Sequence, residues 1–150
     1  MSVQIHVTRT DGSDPDLPLP SYETPGAAGA DLRADTGGQT ITLLPGGRSL
    51  IGTGLQVAIP KGFEMQIRPR SGLALKHGVT LANAPGTVDS DYRGPLGVIL
   101  INLGDAPFDV THGMRIAQAV VAPVAQARYD IAPELDRTNR GSNGFGSTGT

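Results

Sequence analysis

The stretch Phe63-Glu64-Met65-Gln66-Ile67-Arg68 alternates apolar and polar residues without a break. A period of two puts Phe63, Met65 and Ile67 on one face of an extended chain and the polar three on the other, which predicts a half-buried β-strand. The same alternation outward along the chain predicts a first strand over Val3–Val7, with Val3, Ile5 and Val7 on one side. Further strands are predicted at Ala30–Ala34, Gln39–Leu44, Leu50–Ile59, Val79–Leu81, Thr87–Asp89, Gly97–Leu103, Phe108–Thr111 and Ile116–Pro123. The runs VILINL (98–103) and AVVAPV (119–124) are apolar on both faces, which suits strands set between a core and a second buried surface, another subunit being one source of it. Only SGLALKHG, from Ser71, reads as helix: one or two turns, with the Ser71 side chain able to cap the first amides. The fold class that follows is all-β, a closed or two-layer antiparallel architecture with one short helix.

Composition agrees with many short strands joined by turns. The 150 residues contain 21 Gly and 12 Pro but only three Phe, three Tyr and no Trp. The length fits one domain, a β-rich core over residues 1–137 followed by a tail over 138–150, where TNRGSNGFGSTGT lacks the apolar residues to order itself. A formal charge of -2 and the absence of any Lys/Arg run give no field for a stable nucleic-acid partner. Of the 12 basic residues only Lys61 and Lys76 are lysines, and arginine forks suit carboxylates and phosphates. Without cysteine there are no disulfides, thiolate nucleophiles or cysteine-held metals. MSVQIHVTRT lacks the basic-then-apolar pattern of a leader and no apolar stretch approaches membrane length, so a soluble, intracellular or cytoplasmic protein without membrane association is expected.

Several residues carry recognisable chemistry. Arg70 brings charge and Ser71 a hydroxyl, and the amides of Ser71, Gly72 and Leu73 lie at the open end of the short helix, where an anion is favoured; a capped turn after an edge strand accounts for the same residues. Asp89 and Asp91 share a side if the chain is extended and are separated if it turns, so their spacing alone does not make a catalytic pair. Arg93 could pair with either across the turn, and Arg115 could anchor a carboxylate at an interface; either could equally be an ordinary surface arginine. His6, His77 and His112 have no spacing that predicts a metal site. In the tail, Arg140 and Phe145 suit a segment closing over a planar, anionic ligand.

Five stretches in order, AGADLRA (28–34), PRSGLA (69–74), GTVDSDYRG (86–94), RIAQAV (115–120) and RGSNGFGSTG (140–149), resemble the motifs of the trimeric deoxyuridine triphosphate nucleotidohydrolases, the dUTPases. The resemblance spans Ala28–Gly149 and implies a jelly-roll-like fold with a flexible C-terminal tail. It also implies Mg2+-assisted hydrolysis of dUTP to dUMP and pyrophosphate by water attack at the α-phosphorus, which limits uracil in DNA and supplies dUMP for thymidylate synthesis.

The resemblance assigns Asp89 as the base that orients the water, and gives Arg70, Ser71, Gly72 and Gln118 to the phosphates. Asn83 would stand in a β-hairpin that reads uracil, and Tyr92 would form the floor under the sugar. Arg140, Phe145, Gly146 and Ser147 would close from the tail, Phe145 by stacking on the base. Asp31 would meet Mg2+ only through water, with no direct protein ligand. The implied partners are dUTP, dUMP and two further copies of the chain, in a homotrimer with shared active sites. A dCTP deaminase-like enzyme and a noncatalytic trimeric interaction protein are the alternatives. Asn143 stands where the family commonly has glycine, and Pro95 withholds one ladder donor, which suggests an edge or turn there.

Overall fold

The computed structural model describes residues 2–146. FEMQIR forms β5 (Phe63–Arg68), with Met65 and Ile67 buried and Arg68 exposed. The other elements are β1 (His6–Arg9), β2 (Ala30–Arg33), β3 (Ile41–Leu43), β4 (Arg48–Ala58), α1 (Ser71–His77), β6 (Val79–Leu81), β7 (Gly86–Val88), β8 (Pro95–Asn102), β9 (Phe108–Val110) and β10 (Arg115–Pro123). They make two four-stranded sheets, ordered β1-β4-β8-β6 and β2-β10-β5-β7, and a two-stranded β3-β9 ribbon. All pairings are antiparallel.

One apolar core lies between the two larger sheets. Ile51, Val57, Val98 and Leu100 project into it from one sheet, and Leu32, Met65, Ile67 and Ile116 from the other. Each of those side chains contributes roughly 1.5–3 kcal/mol by leaving water. Asn102 is the polar exception, fully buried at the end of β8. Its Nδ2 donates to the carbonyls of Leu43 (2.9 Å) and Ala106 (2.8 Å), while Oδ1 accepts from the Gly104 amide at 2.9 Å. One amide side chain thus ties β8 to β3 and to the turn that follows, with its polar atoms satisfied.

Four local expectations need correction. Val3, Ile5 and Val7 do share a half-buried side, but the ladder begins only at His6, opposite Ala58. Continuing it backward would set Gln4 against Pro60, which has no N–H to give. Ser71 is the first helical residue rather than the cap; Arg70 holds the N-cap position with no side-chain cap bond. The 79–94 stretch is no two-stranded hairpin, because β6 pairs with β8 in one sheet and β7 with β5 in the other, so their connection crosses the sandwich. Burial explains this: Val79, Leu81 and Val88 are all inward, a demand two opposed sheets satisfy and a freestanding ribbon does not. Strand β7 stops at Val88, which leaves Asp89 in the turn that follows.

Pro95 is the first residue of β8, a place where a missing donor costs little. From Val124 to Gly146 the chain has neither strand nor helix, and Tyr129, Ile131 and Leu135 are almost wholly exposed. Among the described residues no helix is long and apolar enough to cross a membrane.

Candidate functional site

Three motif segments converge because β10 lies between β2 and β5. Gln118 on β10 is opposite Asp31 of β2 on one side and Arg68 of β5 on the other. Arg70 follows β5 directly, so its side chain reaches the same place. The centre is the carboxylate of Asp31, whose side chain is only 2% exposed. Its Oδ1 lies 3.3 Å from Arg70 Nε and accepts from Gln118 Nε2 at 3.4 Å, while Oδ2 accepts from Arg115 Nη1 at 3.1 Å.

A buried carboxylate is costly unless paired and hydrogen-bonded, and here two guanidiniums and an amide meet it. Arg70 Nη1 also donates to the Arg115 carbonyl at 3.3 Å, and Arg115 Nη1 lies 3.5 Å from the exposed Glu23. Arg115 therefore meets carboxylates of its own chain. Gly29 makes room for the cluster, since a Cβ there would stand 3.0 Å from Gln118 Cβ.

Beside this cluster is a cavity of about 380 Å³ lined by Arg70, Ser71, Gly72, Leu73, Lys76, His77 and Gln118. Ser71 is exposed and its hydroxyl caps no helix amide. An added Cβ at Gly72 would meet nothing within 4 Å, so packing does not require a glycine there. The Arg70 carbonyl accepts from Ala74, leaving the earlier amides of the helix at its open end. The cavity can accordingly offer an anion a cation, a hydroxyl and main-chain donors.

The Asp89 turn is built by local hydrogen bonds. Tyr92 N donates to the Asp89 carbonyl at 3.2 Å, and the Tyr92 hydroxyl to the Pro95 carbonyl at 3.1 Å. Arg93 pairs with neither aspartate: its Nη1 donates to the carbonyls of Ser90 and Tyr92, each at 2.7 Å, and so sets the turn through main-chain oxygens. The turn also separates Asp89 from Asp91. Asp89 and Asn83 are exposed, and Tyr92 is 45% exposed. Asp89 borders a second cleft, about 840 Å³, with Lys61, Glu64, Asp91 and Arg93. Within one chain, then, Asp89 and the Ser71 group line different hollows.

Arg140 Nε donates to the Asn143 carbonyl at 2.9 Å, and Asn143 N to the Arg140 carbonyl at 3.2 Å, which closes a turn in the tail. Phe145 is fully exposed and has a φ of 52°; Asn143 has no positive φ, so its replacement of a glycine brings no left-handed strain. Neither Arg140 nor Phe145 borders either hollow. Gly146 is the last described residue, and Ser147 lies outside the described residues.

Among the described residues no three His, Asp or Glu side chains group closely enough to hold a metal. His77 packs against Phe108 at 5.0 Å between ring centroids. His112 accepts from the Thr36 amide at Nδ1 (3.2 Å), so its Nε2 donates to Asp14 at 2.8 Å. That contact and the lowered protonation range of Asp14 go together: the His112 hydrogen bond is the largest cause, the Asp16 amide the next, and burial opposes both. Sequence reasoning overlooked Arg115 as a partner of Asp31 and Lys76 as a lining residue. The second was findable, because Lys76 follows Gly72 by four positions, one helical turn.

The family model described as dUTPase matches residues 16–149. The deoxyuridine 5'-triphosphate nucleotidohydrolase of Roseobacter denitrificans is 62% identical over 147 residues, covering 98% of this chain and 97% of its own. Its counterpart from Dinoroseobacter shibae is 57% identical over 153 residues, covering 99% of each chain. In fold, a variant dUTPase of Staphylococcus bacteriophage 80alpha with dUpNHpp superimposes with a TM-score of 0.86 at 22% identity, over 98% of this chain and 99% of that one.

Proposed function

This chain belongs to the dUTPase family, and we propose that it divides the hydrolysis of dUTP to dUMP and pyrophosphate between the Arg70 cavity and the Asp89 turn. The observation that carries this division is the convergence of Arg70, Gln118 and Arg115 on buried Asp31, beside a hollow with a free hydroxyl and helix amides. Arg70, Ser71, the Gly72 main chain and Gln118 hold the phosphates. Asp31 holds Arg70 in place, so that its guanidinium meets the ligand already oriented.

Asp89 takes a proton from a water aligned with the α-phosphorus. The water oxygen forms the new bond to phosphorus as the bond to the bridging oxygen breaks, and pyrophosphate leaves. A positioned general base contributes roughly 10²–10⁴-fold to such a step. Asp91 shapes the turn and takes no proton. Asn83 and neighbouring main-chain groups read uracil, each misplaced donor or acceptor against cytosine costing roughly 1–3 kcal/mol. Tyr92 packs against the sugar where a 2′-hydroxyl would intrude.

The donor set fits Mg2+ in one specific way. A carboxylate has about four acceptor positions and Asp31 uses three, which leaves one for a metal-bound water, while direct ligands come from the phosphates. Bound there, Mg2+ would neutralise phosphate charge and favour departure of pyrophosphate.

Because Asp89 and Ser71 border different hollows, the complete site requires a second copy of the chain, and we assign the assembly as a homotrimer with shared sites. Leu50, 67% exposed on the outer face of β4, and the exposed Tyr129, Ile131 and Leu135 supply apolar surface for such contacts. The segment from 138 onward is the closing tail: Arg140 meets the terminal phosphate, Phe145 stacks on the base, and Gly146 and Ser147 contribute main-chain and hydroxyl contacts. Closure excludes water and strengthens the aimed charges.

Incubation with dUTP and with dCTP, measuring pyrophosphate and ammonia, tests the reaction. Pyrophosphate from dUTP with little from dCTP and no ammonia is expected; ammonia from dCTP would overturn it.

A further inference from the structure

The cavity beside α1 contains a cation that the roles above leave unused. Lys76 lies one helical turn beyond Gly72, so it borders the same hollow as Arg70, Ser71 and Gln118. Arg70 is already committed, to the Asp31 carboxylate at 3.3 Å and the Arg115 carbonyl at 3.3 Å. Lys76 is exposed, and among the described residues no carboxylate stands within ion-pair distance of it. No acidic residue lines the hollow.

We propose that Lys76 binds the pyrophosphate part of the nucleotide, and so makes the cavity prefer a polyphosphate over a monophosphate; this presupposes the reading of the cavity as a phosphate site. The two cations differ in what they can supply. Arg70 is a planar fork held in one orientation, and part of its charge is neutralised by Asp31. Lys76 is a point charge on a flexible four-carbon stem. Such a charge can follow the β- and γ-phosphates as negative charge accumulates on the departing group, and it gives way when pyrophosphate leaves. A monophosphate product lacks the groups that Lys76 meets.

The test uses full-length protein with Mg2+ and measures inhibition of dUTP hydrolysis by inorganic pyrophosphate and by dUMP. In wild type, pyrophosphate competes with dUTP. In Lys76→Gln its inhibition constant rises about five- to tenfold, the range for one partly exposed charge-assisted contact, while that for dUMP is unchanged. Lys76→Arg restores the pyrophosphate constant to within about twofold, as expected for a contact that needs charge. Lys76 is exposed, so the variants keep the wild-type circular dichroism spectrum.

A pyrophosphate constant unchanged in Lys76→Gln, or pyrophosphate and dUMP weakened alike, overturns the assignment while leaving the phosphate cavity in place. Failure of pyrophosphate to compete in wild type, or its insensitivity to Ser71→Ala, overturns the cavity reading and the assignment together.

Discussion

Replacing Asp31 by Asn separates two roles that one carboxylate could play. The side chain is 2% exposed and meets Arg70 Nε at 3.3 Å, Arg115 Nη1 at 3.1 Å and Gln118 Nε2 at 3.4 Å. An amide of the same shape removes the charge and turns an N–H group toward one guanidinium. Hydrogen bonds to a charged group stabilise by about 1.5–3 kcal/mol against about 1 for neutral ones. The Arg70 and Arg115 side chains are 27% and 38% exposed, which places both contacts at the lower end.

Two weakened contacts come to about 2 kcal/mol of lost stability, read by urea denaturation at fixed protein concentration. The loosened Arg70 should also raise KM for dUTP by about tenfold. A double-mutant cycle with Arg115→Gln should show the two changes to be non-additive. If Asp31 served the metal alone, Asp31→Asn would unfold like wild type and demand only more Mg2+. Stability within about 0.5 kcal/mol of wild type would refute the reasoning from the ion pairs.

Asp89→Asn should lower the rate of pyrophosphate release by at least about 100-fold while leaving the affinity for a nonhydrolysable dUTP analogue within a few-fold, both measured on the same preparation. A chain ending at Arg137 should keep its denaturation midpoint and lose most of its turnover, because the tail contributes closure and no core; unchanged turnover would sink the closing-tail assignment. The lowered protonation range of Asp14 contributes stability that is present above the ordinary carboxylate value of 3.8 and lost as pH falls through its lower folded value. Asp14→Asn should therefore be less stable than the parent above that value, with the difference disappearing on stronger acidification; a difference independent of pH would contradict the His112–Asp14 contact.

Alternation made the strands legible, because burial on one face of a sheet imposes a period of two on residues such as Phe63–Arg68. It failed where the constraint is non-local. The start of β1 depends on Pro60 of its partner strand, and the separation of β6 from β7 depends on which sheets need Leu81 and Val88. Asn102 looked like any strand residue, since its value comes from carbonyls brought to it from β3 and from the next turn.

The candidate site was readable as a set of motifs and unreadable as an arrangement. Residues 31, 70, 115 and 118 are distant in sequence and meet only through the placing of β10 between β2 and β5. Arg115 was weighed as an interface residue, because nothing nearby in sequence identifies Asp31 as its partner. The tail shows the opposite limit: its glycines signal freedom, but where Arg140 and Phe145 go is decided by a ligand and a neighbouring chain rather than by local sequence.

The claim on which the rest depends is that Ser71 and Asp89 serve one reaction from different chains, and subunit complementation tests it most directly. Ser71→Ala and Asp89→Asn chains, each nearly inactive alone, are unfolded, mixed in equal amounts and refolded together. If each site draws these residues from two chains, random assembly returns about a quarter of the wild-type rate, since about one site in four then has both intact. If each chain carried its own complete site, the mixture would be no more active than its two components.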